Sequence, residues 1–384
     1  MALVLPATTW IEPGARRRAG TEAVALGRSR ALLVTDAFMV GSGVAAEVAD
    51  VLEQAGLAVA VFDGVEPDPS DAAVDEGRAA LVAHEADVVV GLGGGSALDA
   101  AKTIAVRGGN PGPLRQYMGY GRLVGAGLPV VAIPTTAGTG AEATRVVVIT
   151  DTATHTKLML LDDRLCPTVA LVDVELSATM PRPLTAHVGV DTLTHGIEAN
   201  VSAKATEETN GLALACVERC GRHLVAAWTD GDDLVAREGM ARAAYEGGAA
   251  FANASVCLVH GMSRPLGAVF GIPHGLSNAV LLPAVTAFSL AGAPERYATV
   301  ARALGVATDG DDADAAGAAL LRGLEDLNVR LEVPRLRDLP GVTRVAFDAA
   351  LPKMAEDALA SGSPDRNPVV PTAEQIEELY RRAW

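Results

Sequence analysis

The segment ADVVVGLGGGSALDAAKTIAV, residues 86–106, decides the fold of the N-terminal half of this chain. A run of β-branched residues enters a glycine turn, and an alanine-rich stretch with helical spacing follows. This order predicts a strand, a tight turn and a helix with Ser96 as its N-cap. Backbone N–H groups at such a helix start favour a phosphate, and glycines let it approach closely. The spacing departs from GxGxxG because Ser96 stands where the last glycine would be, so a turn that binds nothing remains an alternative.

Strand-like and helical stretches alternate on both sides of this segment, which indicates a mostly parallel sheet with helices on both faces. The further predicted strands are 31–36, 57–63, 129–134, 146–150, 157–161 and 168–173, and the helices are 44–55 and 70–84. From Pro183 onward the β-branched runs fade, and helices are predicted at 184–200, 206–227, 233–250, 254–263, 275–290, 295–304 and in the tail after Thr372. The sequence therefore predicts an α/β dinucleotide-binding domain, residues 1–181, and an all-α domain, residues 182–384.

Composition narrows the class of protein. A chain of 384 residues with 49% hydrophobic and 4% aromatic side chains has enough apolar surface for two cores, built mainly from Ala, Val and Leu. The net charge of −16 argues against nucleic acid and anionic membranes as partners. The uncharged run 265–294 contains Pro273, Asn278 and Pro283, so we interpret it as buried core rather than a membrane span.

The four cysteines and the first residues bear on cellular location. Cys166, Cys216, Cys220 and Cys257 have neither zinc-knuckle nor disulfide-framework spacing. The first twenty residues lack the basic-then-apolar order of a signal peptide. Both observations favour a reducing compartment, and we expect the protein in the cytoplasm.

One carboxylate and three imidazoles form a candidate metal site. Asp191 and His195 lie four residues apart in GVDTLTHGIEA, which places both on one helix face. His260 in LVHGM and His274 in IPHGLSN lie in the glycine-rich segment that follows. Such a set suits a divalent ion such as Fe²⁺ or Zn²⁺. Taken singly, each histidine is more often a core or surface residue, so the surrounding sequence must decide.

Two features beside the glycine turn suit a nucleotide. Asp36 ends the first clear strand, where an acidic residue can bind ribose hydroxyls and repel a 2′-phosphate, or can simply cap a helix. The segment PTTAGTGAEAT, residues 134–144, places hydroxyls and glycines in a loop after a strand. That composition suits phosphate and ribose contacts, although many ordinary loops share it.

Five segments together resemble the iron-dependent (group III) alcohol dehydrogenase family over nearly the whole chain. They are GGGSALDAAK, PTTAGTGAE, GVDTLTHGIEA, HGMSRPLG and PHGLSNA, in the order and at the separations of that family. The resemblance implies a dehydroquinate synthase-like architecture and the reversible oxidation of a small alcohol to an aldehyde or ketone. It also implies NAD(H) as cofactor and a homodimer or larger homo-oligomer.

The resemblance also implies roles for individual residues. The metal ligands would be Asp191, His195, His260 and His274, holding Fe²⁺ or alternatively Zn²⁺ or Ni²⁺, with His260 and His274 at the catalytic centre. We add Arg264 to this centre on its own position, because it lies one helical turn from His260. The pyrophosphate loop falls on Gly93, Gly94, Gly95 and Ser96, and the remaining cofactor contacts fall on Thr135, Thr136, Thr139, Thr144 and Lys157. In this family an acidic residue at the position of Asp36 favours NAD(H) over NADP(H).

The sequence departs from the family pattern at Arg264, where many relatives have a histidine within HxxxHPLG. An arginine is effectively never deprotonated, so it cannot relay a proton. We consider two roles for Arg264: recognition of an anionic group on the substrate, such as a carboxylate, sulfonate or phosphonate, or a structural ion pair.

His187 lies one turn before Asp191. It either supports the carboxylate of Asp191 or is a partly buried helix residue.

Other functions on the same architecture are a glycerol dehydrogenase, a maleylacetate reductase and a dehydroquinate-synthase-like lyase. A non-enzymatic alternative is a nucleotide-binding protein with an inactive site. The presence of all four ligand residues and of the glycine turn argues against that last alternative.

Overall fold

In the computed structural model, which describes residues 2–154 and 156–384, the chain divides into two compact units, Met1–Thr179 and Met180–Trp384. The first unit combines a parallel sheet with helices, and the second is helical. The predicted fold class is thereby confirmed.

The N-terminal unit is built on a six-stranded parallel sheet. In chain order the strands of this unit are β1 Thr8–Glu12, β2 Arg30–Val34, β3 Ala58–Phe62, β4 Val88–Gly93, β5 Gly119–Tyr120, β6 Val130–Pro134, β7 Val146–Asp151, β8 Thr156–Leu161 and β9 Val169–Asp173. The large sheet has the order β1-β9-β6-β4-β2-β3. Strands β4, β6 and β9 are buried along their whole length, as expected for apolar runs covered on both faces.

Helices cover both faces of this sheet. They are α1 Ala19–Ala25, α2 Ala37–Gly41, α3 Val44–Gln54, α4 Asp71–Ala83, α5 Gly95–Val106 and α6 Val174–Ser177. Because side chains alternate along a strand, Leu32 and Val89 join one core with α4 and α5, whereas Leu33 and Val90 join another with α1 and α3. A Cβ atom at Gly91 would lie 2.8 Å from the Cβ atom of Ala101, so a larger residue would push α5 off β4.

Two of the predicted strands belong to a different sheet. Strands β7 and β8 pair antiparallel and form a three-stranded sheet in the order β5-β8-β7. Including them in the parallel pattern is therefore wrong. Only residues 152–155 separate them, whereas a parallel crossover needs a dozen residues or more.

The C-terminal unit is a bundle of helices around α7. In chain order they are α7 Arg182–Val201, α8 Glu207–Thr229, α9 Leu234–Asn253, α10 Leu258–Phe270, α11 His274–Ser289, α12 Pro294–Leu304, α13 Ala313–Arg330, α14 Arg344–Ala360 and α15 Ala373–Arg382. Thr372 caps α15 in a capping box, as the sequence predicts.

Helix α7 lies in the interior of this bundle, and nearly every residue from Thr185 to its end is buried. Small residues make this close packing possible. A Cβ atom at Gly189 would lie 2.1 Å from Leu224 Cδ1, and one at Gly196 would lie 2.9 Å from the carbonyl oxygen of Ala213. Both neighbours belong to α8, so α7 is held rigidly, and with it Asp191 and His195.

One helix among the described residues, His274–Gly292, is long and apolar enough to cross a membrane by length and composition. Within its unit 61% of the most apolar window is buried. Asn278 and Ser277 lie inside it and are fully buried. These observations agree with the interpretation of the apolar run as protein core.

Candidate metal centre

Three helices bring the four predicted ligands together. Asp191 and His195 lie one turn apart on α7, His260 lies in the first turn of α10, and His274 begins α11. The side chains of Asp191 and His195 are only 3% and 5% exposed. Asp191 and His260, which are 69 positions apart in the sequence, thus meet in one cluster.

The distances from Asp191 Oδ1 to the three imidazoles fit one divalent ion. Asp191 Oδ1 lies 3.6, 3.5 and 3.9 Å from the Nε2 atoms of His195, His260 and His274. Four ligands held tetrahedrally at about 2.1 Å from a metal are about 3.4 Å apart. Three imidazoles and one carboxylate form a nitrogen and oxygen set that accepts Fe²⁺, Zn²⁺ or Ni²⁺. The residues present therefore fit the metal that the sequence predicts.

His274 is the accessible member of the cluster. Within this unit 47% of its side chain is exposed, in contrast to the other three ligands. The cluster is consequently closed on the α7 side and open on the α11 side. An open side is what a catalytic, as opposed to a structural, metal site requires.

Glu198 supports His260, and the sequence interpretation missed it. Glu198 Oε2 lies 2.7 Å from His260 Nδ1, and the same carboxylate accepts hydrogen bonds from the backbone N–H groups of Cys257 and Val259. A carboxylate at Nδ1 holds the proton there and leaves the lone pair on Nε2, which faces Asp191. The signal in the sequence is weak, since it consists only of Glu198 following His195 by three residues on α7.

The carboxylates make this centre favourable for positive charge. Burial alone would lower the pKa of His260, but Asp191 and Glu198 raise it to about 9. Burial opposes ionisation of Asp191, yet the neighbouring imidazoles hold its pKa well below the usual range. The environment that favours a proton on His260 likewise favours a metal cation.

Asn278 is a second residue of the site that the sequence interpretation missed. It lies one turn after His274 on α11 and is fully buried. Its Nδ2 donates to Asp191 Oδ1 at 2.6 Å and lies 3.2 Å from Nε2 of both His260 and His274. The amide thus orients the ligand carboxylate.

His187 does not support the Asp191 carboxylate through a hydrogen bond. Among the hydrogen bonds of the described residues none joins His187 to Asp191; the carbonyl of His187 instead packs against Gly275.

Arg264 lies one turn after His260 on α10 and is partly buried. Its Nη1 donates to Ser363 Oγ at 3.1 Å. Among residues 2–154 and 156–384 no carboxylate lies within 4 Å of it, so the structure gives no support to the alternative of a structural ion pair within the chain. Burial lowers the pKa of Arg264, and the charge of Glu198 partly opposes that shift.

The N-terminal unit brings the predicted glycine turn and hydroxyl-rich loop together. Gly93 ends β4, and the Thr135 N–H donates to its carbonyl at 3.0 Å. A Cβ atom at Gly95 would lie 3.0 Å from Thr139 Cγ2, and one at Gly94 would lie 3.7 Å from Thr136 Cγ2. The two segments therefore form one surface at the carboxyl end of β4 and β6, where parallel sheets bind ligands.

The start of α5 differs from the prediction. The N-cap is Gly94 rather than Ser96, and no side chain caps the helix. Ser96 instead donates its hydroxyl hydrogen to the carbonyl of Pro67, and Asp99 accepts from the N–H of Val148. Since no side chain accepts from the first N–H groups of α5, they suit an anion such as a phosphate.

The remaining predicted cofactor residues lie in different environments. Asp36 caps α2 through Met39, yet its second oxygen lies 3.3 Å from where a Cβ at Gly93 would be, so it also borders the glycine turn. Lys157 is exposed and pairs with Asp68 at 2.6 Å. Thr144 is buried, and its hydroxyl accepts from Lys102 at 3.0 Å, which is a structural contact.

Lys102 holds the hydroxyl-rich loop to α5. It is fully buried, and its Nζ donates to the carbonyls of Ala141 and Val146 at 2.8 and 2.9 Å as well as to Thr144. Burial lowers the pKa of Lys102, while Asp99, 3.6 Å away, opposes that shift. The same burial raises the pKa of Glu142, in the loop, to about 7.

Sequence models of one family match both units. The iron-containing alcohol dehydrogenase model matches residues 6–174, and the model of the Fe-containing alcohol dehydrogenase family, C-terminal, matches residues 185–384. This chain belongs to the iron-containing alcohol dehydrogenase family.

Individual relatives extend over the whole chain. It is 37% identical over 379 residues to the NAD-dependent methanol dehydrogenase of Bacillus methanolicus, covering 99% of this chain and 98% of that protein. Among solved structures, 1,3-propanediol oxidoreductase superposes with a TM-score of 0.96 at 36% identity, covering 100% and 99% of the two chains. Sulfoacetaldehyde reductase from Bifidobacterium kashiwanohense, in complex with NAD⁺, gives 0.88 at 29% identity, covering 100% and 98%.

Proposed function

We propose that this protein is a metal-dependent alcohol dehydrogenase, or aldehyde reductase, that transfers hydride between NAD(H) and a small alcohol or aldehyde. The observation that carries this proposal is the convergence of Nε2 of His195, His260 and His274 within 3.5–3.9 Å of Asp191 Oδ1. Membership of the iron-containing alcohol dehydrogenase family supports it. So does the 37% identity to a methanol dehydrogenase that uses NAD.

The four converging side chains would hold the ion, and the family makes Fe²⁺ the first candidate, with Zn²⁺ and Ni²⁺ as alternatives. When bound, a divalent ion supplies Lewis acidity, which favours the deprotonated alcohol and polarises the carbonyl in the reverse direction. Glu198 keeps the proton of His260 on Nδ1, so that the lone pair of Nε2 stays available to the ion. Asn278 fixes the orientation of the Asp191 carboxylate.

The N-terminal unit would hold the dinucleotide. The uncapped N–H groups at the start of α5, beside Gly93, Gly94, Gly95 and Ser96, would bind the pyrophosphate. Thr135, Thr136 and Thr139 would add contacts from the adjoining loop, and Asp36 would bind the ribose hydroxyls and disfavour NADP(H). Lys157 would have to leave Asp68 to reach a ribose, and Thr144 would act through its structural bond to Lys102.

The substrate range includes small neutral and small anionic compounds, because the relatives include a methanol dehydrogenase and a sulfoacetaldehyde reductase. A glycerol dehydrogenase or a maleylacetate reductase on the same fold remains the alternative. Asp191, His195 and His260 form a buried group, and His274 Nε2 lies 3.9 Å from Asp191 Oδ1 as a fourth donor, which supports the iron-dependent group over relatives with three ligands. We also propose that the protein is cytoplasmic and forms a homodimer or a larger homo-oligomer.

The test is an assay of purified protein that is stripped of metal and reloaded anaerobically with Fe²⁺, Zn²⁺ or Ni²⁺. A panel of small aldehydes and alcohols would be assayed with NADH or NAD⁺ and with NADPH or NADP⁺. We expect aldehyde-dependent oxidation of NADH that His195→Ala abolishes. The matched control, His84→Ala at the end of α4, should keep full activity. No turnover of any substrate by the loaded protein, or equal activity of the two variants, would contradict the proposal.

A further inference from the structure

Arg264 is positioned beside the metal centre by the geometry of α10. Side chains four residues apart on a helix lie on the same face, with Cβ atoms about 6 Å apart. Arg264 follows His260 by four residues, so its side chain is the next one along the face that carries a metal ligand. Arg264 is therefore the neighbour of His260 on this face of α10.

The position of this side chain is fixed rather than free. Its Nη1 donates to Ser363 Oγ, and Ser363 is itself buried. The segment that carries Ser363 packs tightly on α10, since a Cβ atom at Gly261 would lie 3.0 Å from Pro364. One donor of the guanidinium is therefore used for anchoring, and the others are left for a ligand.

The charge of Arg264 has no carboxylate in contact with it among the described residues. No carboxylate among the described residues approaches within 4 Å of it, and Glu198 is committed to His260 and to two backbone N–H groups. A bound divalent ion would balance Asp191 and Glu198, which leaves Arg264 as a surplus positive charge. A partly buried cation without a counter-charge is costly, so an anion is the expected partner.

We propose that Arg264 is a specificity-determining residue that binds an anionic group, a carboxylate, sulfonate or phosphonate, on the aldehyde or alcohol substrate. This inference rests on the proposed function and narrows its substrate class. The planar guanidinium offers paired donors that match two oxygens of such a group. Because His260 and Arg264 are neighbours on one face of α10, we expect a short chain between the anion and the reacting carbon.

The kinetic test compares matched aldehydes with and without the anion. Sulfoacetaldehyde and succinic semialdehyde serve as anionic substrates, and propanal and butanal as neutral counterparts. We expect Arg264→Gln to reduce kcat/KM for the anionic aldehydes about 30-fold or more, mainly through KM, and for the neutral aldehydes by no more than about threefold. Arg264→Lys should recover part of the loss, because lysine restores the positive charge but not the paired N–H donors of the guanidinium.

Arg242→Gln is the matched control, since Arg242 is a helix arginine on α9 that pairs with Glu238. It should leave both classes of substrate unchanged. Ser363→Ala tests the anchoring of the guanidinium and should raise KM for anionic aldehydes less than Arg264→Gln does. Thermal melting of each variant establishes that it is folded, and Arg264→Lys replaces Arg264→Gln where the latter does not fold.

A binding measurement separates this inference from the proposed function. Calorimetric titration with propane-1-sulfonate, against propan-1-ol, reports anion binding to the metal-loaded and the metal-free protein without turnover. We expect the wild type to bind the sulfonate more tightly than the alcohol, and Arg264→Gln to lose that difference. Equal losses for both aldehyde classes, or no preference of the wild type for the anion in either measurement, would overturn the inference. Absence of any turnover alongside intact sulfonate binding would overturn the proposed function alone.

Discussion

At the scale of single residues, His260 is controlled by two carboxylates on opposite sides of its ring. Glu198 lies 2.7 Å from Nδ1, and Asp191 lies 3.5 Å from Nε2. One carboxylate holds a proton, and the other shares the metal site. Such partners of metal-binding histidines set both the tautomer and the orientation of the ring.

Glu198→Gln should therefore weaken metal binding. A glutamine keeps the shape of the side chain but lacks the charge that holds the Nδ1 proton, so we expect a loss of about 10- to 100-fold in affinity for Fe²⁺ or Zn²⁺. Anaerobic competition with a chromophoric chelator measures it. Glu246→Gln, a partly buried acid on α9 that pairs with Arg219, is the control and should bind metal like the wild type. Unchanged affinity of Glu198→Gln would show that the carboxylate is not needed.

Asp36→Ala should broaden cofactor use. The carboxylate borders the glycine turn, where it would repel a 2′-phosphate, and its removal should lower the KM for NADPH at least about tenfold relative to that for NADH. Steady-state kinetics with both cofactors measure the ratio. Asp36→Asn keeps the cap of α2 and isolates the effect of charge. A ratio that stays constant in both variants would remove Asp36 from cofactor selection.

At the scale of structural elements, the hydroxyl-rich loop depends on α5 through one buried lysine. Lys102 on α5 donates to the carbonyl of Ala141 in the loop and to that of Val146 at the start of β7, directly after the loop. Its loss leaves several buried acceptors without a donor. The glycine turn and the loop would then no longer share one fixed surface.

Lys102→Met should destabilise the N-terminal unit by about 3 kcal/mol or more and weaken NADH binding. Calorimetric melting measures the first effect, and NADH fluorescence titration measures the second. Lys353→Met, on the exposed face of α14, is the matched control and should change neither. A variant that melts earlier but binds NADH normally would show that the lysine stabilises the unit without positioning the loop.

Glu142 in the same loop predicts a pH dependence of stability. Its pKa in the folded protein, about 7, exceeds the ordinary value of 4.5, because burial disfavours the charged form. The folded state therefore binds the proton more tightly, and the stability that this contributes is present below pH 4.5 and is lost as the pH rises to 7. Glu142→Gln should remove this loss of stability, so that its melting temperature rises relative to that of the wild type between pH 5 and pH 8. The exposed Glu53→Gln is the control, and parallel curves for wild type and Glu142→Gln would contradict the prediction.

At the scale of the whole molecule, the sequence predicts well what depends on local pattern. Strand and helix positions, the change near Pro183 and the cap at Thr372 all follow from periodicity and capping residues. The pairing of β7 with β8 does not, because it depends on the short connection rather than on either strand. The start of α5 also differs, since Gly94 takes the cap position and frees Ser96 to bond to Pro67.

The residues of the candidate site also differ in how far the sequence predicts them. The four ligands stand in motifs whose order in the chain is informative, whereas Glu198 and Asn278 act through residues 62 and 87 positions away. Contacts of that separation require the packing of α7 against α10 and α11, which no local pattern reports. The role of Arg264 likewise depends on the absence of a carboxylate beside it in the described part of the chain.

The proposed function requires that Asp191, His195, His260 and His274 hold a divalent ion on which NAD-linked turnover depends. The most direct measurement follows the oxidation of NADH by a small aldehyde while metal is removed with a chelator and returned under anaerobic conditions. We predict that activity disappears with the metal and returns in full at about one equivalent per chain, with Fe²⁺ as the first ion to test. Full activity of the protein after its metal content has fallen below detection would contradict the proposed function.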